Sequence, residues 1–268
     1  MTNSTSTQTN GQYSLAKILG IWAAAAVFGA ILSWVVYPAL APDLEADRLG
    51  AGVTRVVVMT VVMIWLFILA MIIVYREEGD LRWATIRQRL WLNTPQDPKT
   101  GETRGRLWLW VIPFLILTAL VQVGLGPVLD GMWVSIFPFF APPPGYDAGE
   151  ILGSPVIQAQ LVGAWGFFGL FLLMAVFNTF LGEELLFRGA LLPKMNGVFG
   201  RWDWVANGVL FGLYHLTQPW GILASAISGL VWAFPARRFR STWMSVILHS
   251  AQSVYLLFLI VGLVLGLA

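Results

Sequence analysis

Charge is almost excluded from long stretches of this chain. Asp, Glu, Lys and Arg make up only 11% of its 268 residues, against 57% hydrophobic. Apolar runs occupy residues 18–37, 53–75, 107–124, 156–192, 204–216, 221–234 and 243–267. About 20 apolar residues make a helix that crosses roughly 30 Å of hydrocarbon. In lipid the backbone must satisfy its own hydrogen bonds, so only helices and closed barrels can span it. None of the runs alternates with the period of two that a barrel strand requires. These features, with a mean hydropathy of +0.73, predict an all-α polytopic membrane protein of about seven transmembrane helices, with its site in the bundle core.

The polar residues 1–14 read as a disordered tail. The first run is too long for a signal-peptide core, and Pro42 behind Ala39-Leu40-Ala41 argues against cleavage, so it reads as an uncleaved span. The fourth run exceeds one crossing and is expected to tilt, or to bend near Gly182. Pro-rich 137–146 is a loop whose Phe139 and Phe140 are expected at the membrane interface. Trp202, Trp204, Trp220 and Trp243 near span ends read as interface anchors. With no cysteine there is no disulfide, thiolate ligand or cysteine nucleophile. The net charge of +2 and pI of 9.1 do not imply a nucleic-acid partner, because the basic residues gather between spans.

Those basic residues set the expected orientation. Arg76, Arg82, Arg87, Arg89, Lys99, Arg104 and Arg106 follow the second run, whereas 38–52 and 125–156 contain only Arg48. By the positive-inside rule the amino terminus is cytoplasmic and the carboxyl terminus extracytoplasmic in an integral membrane protein, most simply of a bacterial inner membrane. Lys194, Arg201, Arg237, Arg238 and Arg240 then fall on the cytoplasmic side too.

Against that background the late runs place ionisable groups where each costs at least about 2.5–3.5 kcal/mol, which marks a functional site. Gly182-Glu183-Glu184-Leu185-Leu186-Phe187-Arg188 has the form EExxxR. Glu184 and Arg188 share a helix face and can pair, so Arg188 reads as a structural charge partner. Glu183 points about 100° away, free to face a cavity as a general base. The bland alternative is a pair of structural salt bridges. Phe211-Gly212-Leu213-Tyr214-His215 has the form FxxxH. His215 alone would read as a satisfied core histidine, and Tyr214 beside it as core. His249 is followed by Gln252 and Ser253, which could supply oxyanion donors or serve as interhelical glue. At about 1.5 Å per residue, Glu184, His215 and His249 lie roughly 13, 18 and 10 Å from the cytoplasmic ends of their runs, in one layer. Access is expected from the cytoplasmic side.

EExxxR, FxxxH and a later histidine with a polar residue four on, in this order on successive runs, resemble the CPBP family of intramembrane proteases. That family includes type II CAAX prenyl endopeptidases and Abi-type immunity proteins. The resemblance covers roughly 156–268, which reads as a catalytic helical core; residues 15–155 form spans and loops without a matching motif. It implies that Glu183 and His215 activate water, and that His249 stabilises the oxyanion with the residue four on. Here that residue is Ser253, where the family usually has Asn or Asp. The implied catalytic set is Glu183, Glu184, His215, His249 and Ser253.

The cofactor is either none or zinc, held if present by Glu183, His215 and His249. The implied activity is an intramembrane endopeptidase acting in the lipid bilayer on a membrane-associated or prenylated peptide. Two alternatives remain: a proton-coupled transporter, disfavoured by polar residues confined to one half, and a catalytically silent scaffold or immunity protein.

Overall fold

The computed structural model describes residues 11–44 and 46–267. Its helices are α1 (Leu15–Leu40), α2 (Arg48–Glu78), α3 (Trp83–Arg89), α4 (Gly105–Ile136), α5 (Ala148–Gly153), α6 (Pro155–Leu161), α7 (Trp165–Lys194), α8 (Asp203–Tyr214), α9 (Pro219–Phe239) and α10 (Thr242–Val264). No strand occurs among the described residues beyond one bridge, Gln96 to Thr103. Six helices, α1, α2, α4, α7, α9 and α10, are long and apolar enough to cross a membrane.

Local sequence explains the helix ends. Ser14 caps α1 by accepting the Lys17 N–H, and Asp47 caps α2 by accepting that of Gly50. Gly79, at φ +79°, terminates α2 in the left-handed conformation that costs glycine least. Pro219 opens α9, where its missing N–H is not needed.

The run 204–216 forms α8, which at twelve residues or about 18 Å is shorter than the other crossings but still leads from Asp203, paired with Arg237 at the basic end, to the turn before α9. It packs antiparallel on α9 along a seam of small residues. A Cβ on Gly208 would lie 2.7 Å from the Leu230 nitrogen, and one on Gly212 2.6 Å from the Ala226 Cα. The run 156–192 is divided at Gly163 (φ +77°) into α6 and α7. At Gly182 the α7 backbone approaches α2 so closely that a Cβ would sit 2.8 Å from the Met63 carbonyl oxygen.

Basic residues collect at one end of the bundle. There the Tyr13 N–H donates to the Lys194 carbonyl (2.9 Å), the Thr242 N–H to that of Trp91 (2.9 Å) and the Gln96 N–H to that of Phe239 (2.9 Å). Arg89, 6% exposed, pairs with Glu77 at 2.9 Å and donates to the Tyr13 hydroxyl and the Gly189 and Ala190 carbonyls. It thereby clamps the start of α1 and the ends of α2 and α7. Of the 16 Lys and Arg residues, all but Arg48, Arg55 and Arg188 lie at this end. The expected tail at 1–14 falls outside the described residues up to residue 10, and Gln12 and Tyr13 are docked on the bundle.

At the opposite end, the Trp34 and Trp133 indole N–H groups donate to the Leu216 and Pro219 carbonyls at 2.7 and 2.9 Å, fixing the turn between α8 and α9. Apolar side chains such as Val35, Val123 and Phe258 are exposed around the belt, as lipid contact requires. Phe139 is also exposed.

Candidate active site

Glu183 and Glu184 lie in α7 between two π-helical stretches, Val176–Gly182 and Leu185–Leu191. Such widened turns are frequent at functional sites. Both carboxylates and Arg188 are buried. Arg188 Nη1 donates to Glu184 Oε1 at 3.0 Å and Nη2 to the Gly229 carbonyl at 3.2 Å. Its guanidinium stands 4.1 Å from the centre of the Phe211 ring.

From α10, His249 comes between the two acids. Its Nδ1 lies 3.0 Å from Glu184 Oε1, and its Nε2 lies 3.7 Å from Glu183 Oε2. Trp232 of α9 stacks on the imidazole, with ring centres 4.0 Å apart. The carboxylate of Glu184, already held by Arg188, can only accept, so Nδ1 carries the proton. Nε2 is then left facing Glu183 and the cavity.

His215 follows the last residue of α8. Its Nδ1 is 2.8 Å from the Phe211 carbonyl, which also can only accept. This fixes the tautomer with Nε2 unprotonated and free to take a proton. Tyr214, read from sequence as core, is indeed buried. Its hydroxyl interacts with the Glu183 carboxylate.

Glu183, His215 and His249 line one cavity of about 320 Å³. Phe211 and Trp232 form its floor towards the basic end. Its other walls include Gly126, Asp130, Thr217, Gln218 and Trp220, which belong to the opposite end, and Gln218 there is exposed. The expected access from the basic end is therefore corrected: buried aromatic rings close that route. Trp220, read as an interface anchor, is 8% exposed and is a cavity wall instead.

Ser253 does not line this cavity. It faces an adjoining one, whereas Gln252 lines both. Among the described residues, no group of three or more His, Asp and Glu side chains is arranged to hold a metal ion. Glu183 and His249 approach to 3.7 Å, and His215 lines the same cavity.

Sequence reasoning overlooked Asn178, Gln122 and Asp130, which also line the cavity. Asn178 precedes Glu183 by about one π turn. Gln122 of α4 donates to Ser228 at 2.8 Å. Asp130 is the one acid in 107–146, and its Oδ1 is buried without a partner. The cost of a membrane carboxylate would have singled it out had the third run been extended past Gly124.

Residues 164–255 match the family model described as Type II CAAX prenyl endopeptidase Rce1-like. The match begins at the foot of α7 and ends in α10, so it takes in both glutamates, Arg188, both histidines, Gln252 and Ser253. Comparison with the curated proteins and with the solved structures gives no match.

Proposed function

We propose that this chain, whose residues 164–255 carry the pattern of the CAAX-type intramembrane protease family, is an endopeptidase that hydrolyses a membrane-associated peptide within the bundle. The observation that carries the reading is the meeting of Glu183, His215 and His249 on one cavity inside an apolar helical protein.

In this reading a water sits between the Glu183 carboxylate and His215 Nε2. Glu183 removes its proton as the oxygen attacks the peptide carbonyl carbon. The C–N bond then breaks, and the same proton passes to the leaving amine. His249 in its doubly protonated form donates through Nε2 to the oxyanion, with Glu184 on Nδ1 offsetting the charge. The amides of Gln252 and Asn178, on the same cavity, are better placed as further donors than the Ser253 hydroxyl.

The basic end is assigned to the cytoplasm of a bacterial cell, which puts the cavity mouth towards the other face. The test is incubation of purified wild type and Glu183→Gln with short membrane-associated peptides, plain and lipidated. Cleavage by the wild type that falls at least about a hundredfold in the variant is expected for loss of a general base. Equal cleavage by both removes Glu183 from the reaction. Activity is expected to survive a chelator, and its loss with recovery on adding zinc would reject the metal-free reading.

A further inference from the structure

Two open clefts, of about 500 and 840 Å³, meet at the basic end between the loop 90–104 and the ends of α4 and α9. They share Asp97, Pro98, Lys99, Phe234 and Arg238, so they form one continuous surface. Arg201, Arg237 and Arg240 complete the smaller cleft, and Arg106 stands in the larger. The loop is fixed in place: the Gln96 N–H donates to the Phe239 carbonyl at 2.9 Å, and the Ser241 hydroxyl donates to that of Asn93.

The cations here outnumber their partners. Arg237 pairs with Asp203, and Arg201 lies 5.2 Å from the centre of the Trp202 ring. Lys99, Arg106, Arg238 and Arg240 form no ion pair among the described residues. Asp97 is the one acid among the described residues on these walls. Its Oδ1 accepts the Lys99 and Thr100 N–H groups at 2.9 and 3.3 Å, its Oδ2 is 4.0 Å from Arg104, and Arg106 is within its electrostatic reach. Like charges gathered this closely repel one another, and a bound anion relieves the repulsion.

Arg240 adds an independent observation. It caps α9 at φ +47° and ψ +44°, the left-handed conformation that glycine adopts most easily. The side chain of this exposed arginine makes no hydrogen bond or ion pair among the described residues that would offset the backbone penalty.

Deeper in the bundle the larger cleft turns apolar. Trp110 and Phe114 follow Arg106 by four and eight residues on α4, and Phe234 precedes Arg238 by four on α9. These rings therefore lie roughly 6–12 Å further into the membrane than the cations. The Phe114 and Phe234 rings are 5.9 Å apart, and Leu109 and Trp110 are exposed. A soluble phosphate would engage the cations and leave the rings unused, whereas the phosphate and acyl chain of one lipid match both. We propose that the two clefts are a binding site for an anionic phospholipid, its phosphate among Lys99, Arg106, Arg238 and Arg240 and an acyl chain laid on Trp110, Phe114 and Phe234. The site is separate from the catalytic cavity and does not depend on the protease reading.

Detergent-purified wild type is titrated with phosphatidylglycerol, phosphatidylcholine and inorganic phosphate, and bound lipid is counted by native mass spectrometry. Each cation near an anionic headgroup contributes roughly fivefold to binding. Phosphatidylglycerol is therefore expected to bind at least about tenfold more tightly than phosphatidylcholine, and Arg238→Gln with Arg240→Gln to remove that preference. Arg76→Gln with Arg87→Gln, which takes the same charge from the basic end outside the clefts, should leave it intact. Equal binding of the two lipids overturns the proposal, as does an equal loss in both double variants, which would mean diffuse attraction to the whole basic end. Displacement of phosphatidylglycerol by inorganic phosphate at the same concentration would assign the clefts to a soluble anion instead. Should the first double variant not fold, Arg240→Gly decides. It is expected to weaken phosphatidylglycerol binding while the thermal midpoint in lipid-free detergent stays level or rises, because glycine takes the left-handed turn without strain. Unchanged lipid binding in this variant, or weaker binding only alongside a lower midpoint, would leave Arg240 a structural cap and reject the site.

Discussion

At the scale of single residues, the site is a chain of buried charge. Arg188 holds Glu184, Glu184 holds His249, and His249 meets Glu183. Removing one member leaves an uncompensated charge in apolar surroundings. Arg188→Ala is therefore expected to destabilise by about 3–5 kcal/mol, read as a fall in thermal midpoint in detergent. A double variant that also replaces Glu184 should lose less than the sum of the single effects. An unchanged midpoint would mean that the pair carries no structural role. On α10, Gln252 lines the cavity of Glu183 and the two histidines, whereas Ser253 lines only the adjoining one. Gln252→Ala should lower kcat by roughly tenfold or more, in line with loss of an oxyanion donor, and Ser253→Ala should change it little. The reverse order would restore Ser253 to the reacting layer.

At the scale of elements, the decisive features are departures from regular helix. The π stretches on either side of Glu183-Glu184 let two consecutive residues reach the same imidazole, which the 100° step of an α-helix disfavours. The α8–α9 hairpin places His215 where the short helix ends, and its seam works only because Gly208, Gly212 and Gly229 lack side chains. Gly212→Ala is expected to cost about 1–3 kcal/mol as overpacking and to displace His215. Loss of peptidase activity beyond the loss of folded protein would be the sign of that displacement, and a variant as active and stable as the wild type would contradict the seam.

At the scale of the whole molecule, the basic end is both an orientation signal and a clasp. Because the chain has no cysteine, single substitutions Lys99→Cys and Pro142→Cys can be labelled cleanly in cells. Impermeant reagent is expected to reach position 142 and not 99, and the opposite result would invert the assigned orientation. Apolar runs, basic loops and the spacing of EExxxR and FxxxH made the helical membrane class, the sidedness of charge and the Glu184–Arg188 pair legible in the sequence. These depend on composition and on neighbours three or four residues apart, which helical geometry alone relates. The path into the cavity, the placing of Gln252 but not Ser253 on its wall, and the place of Asp130 and Trp220 in the walls were not legible. Each depends on which helix packs against which, and at what rotation. In a chain whose helices are apolar nearly all round, hydrophobic pattern does not single out the inward face. Close approach at Gly182, Gly208 and Gly212 and the few buried polar contacts set those rotations, and such contacts join residues far apart in the chain.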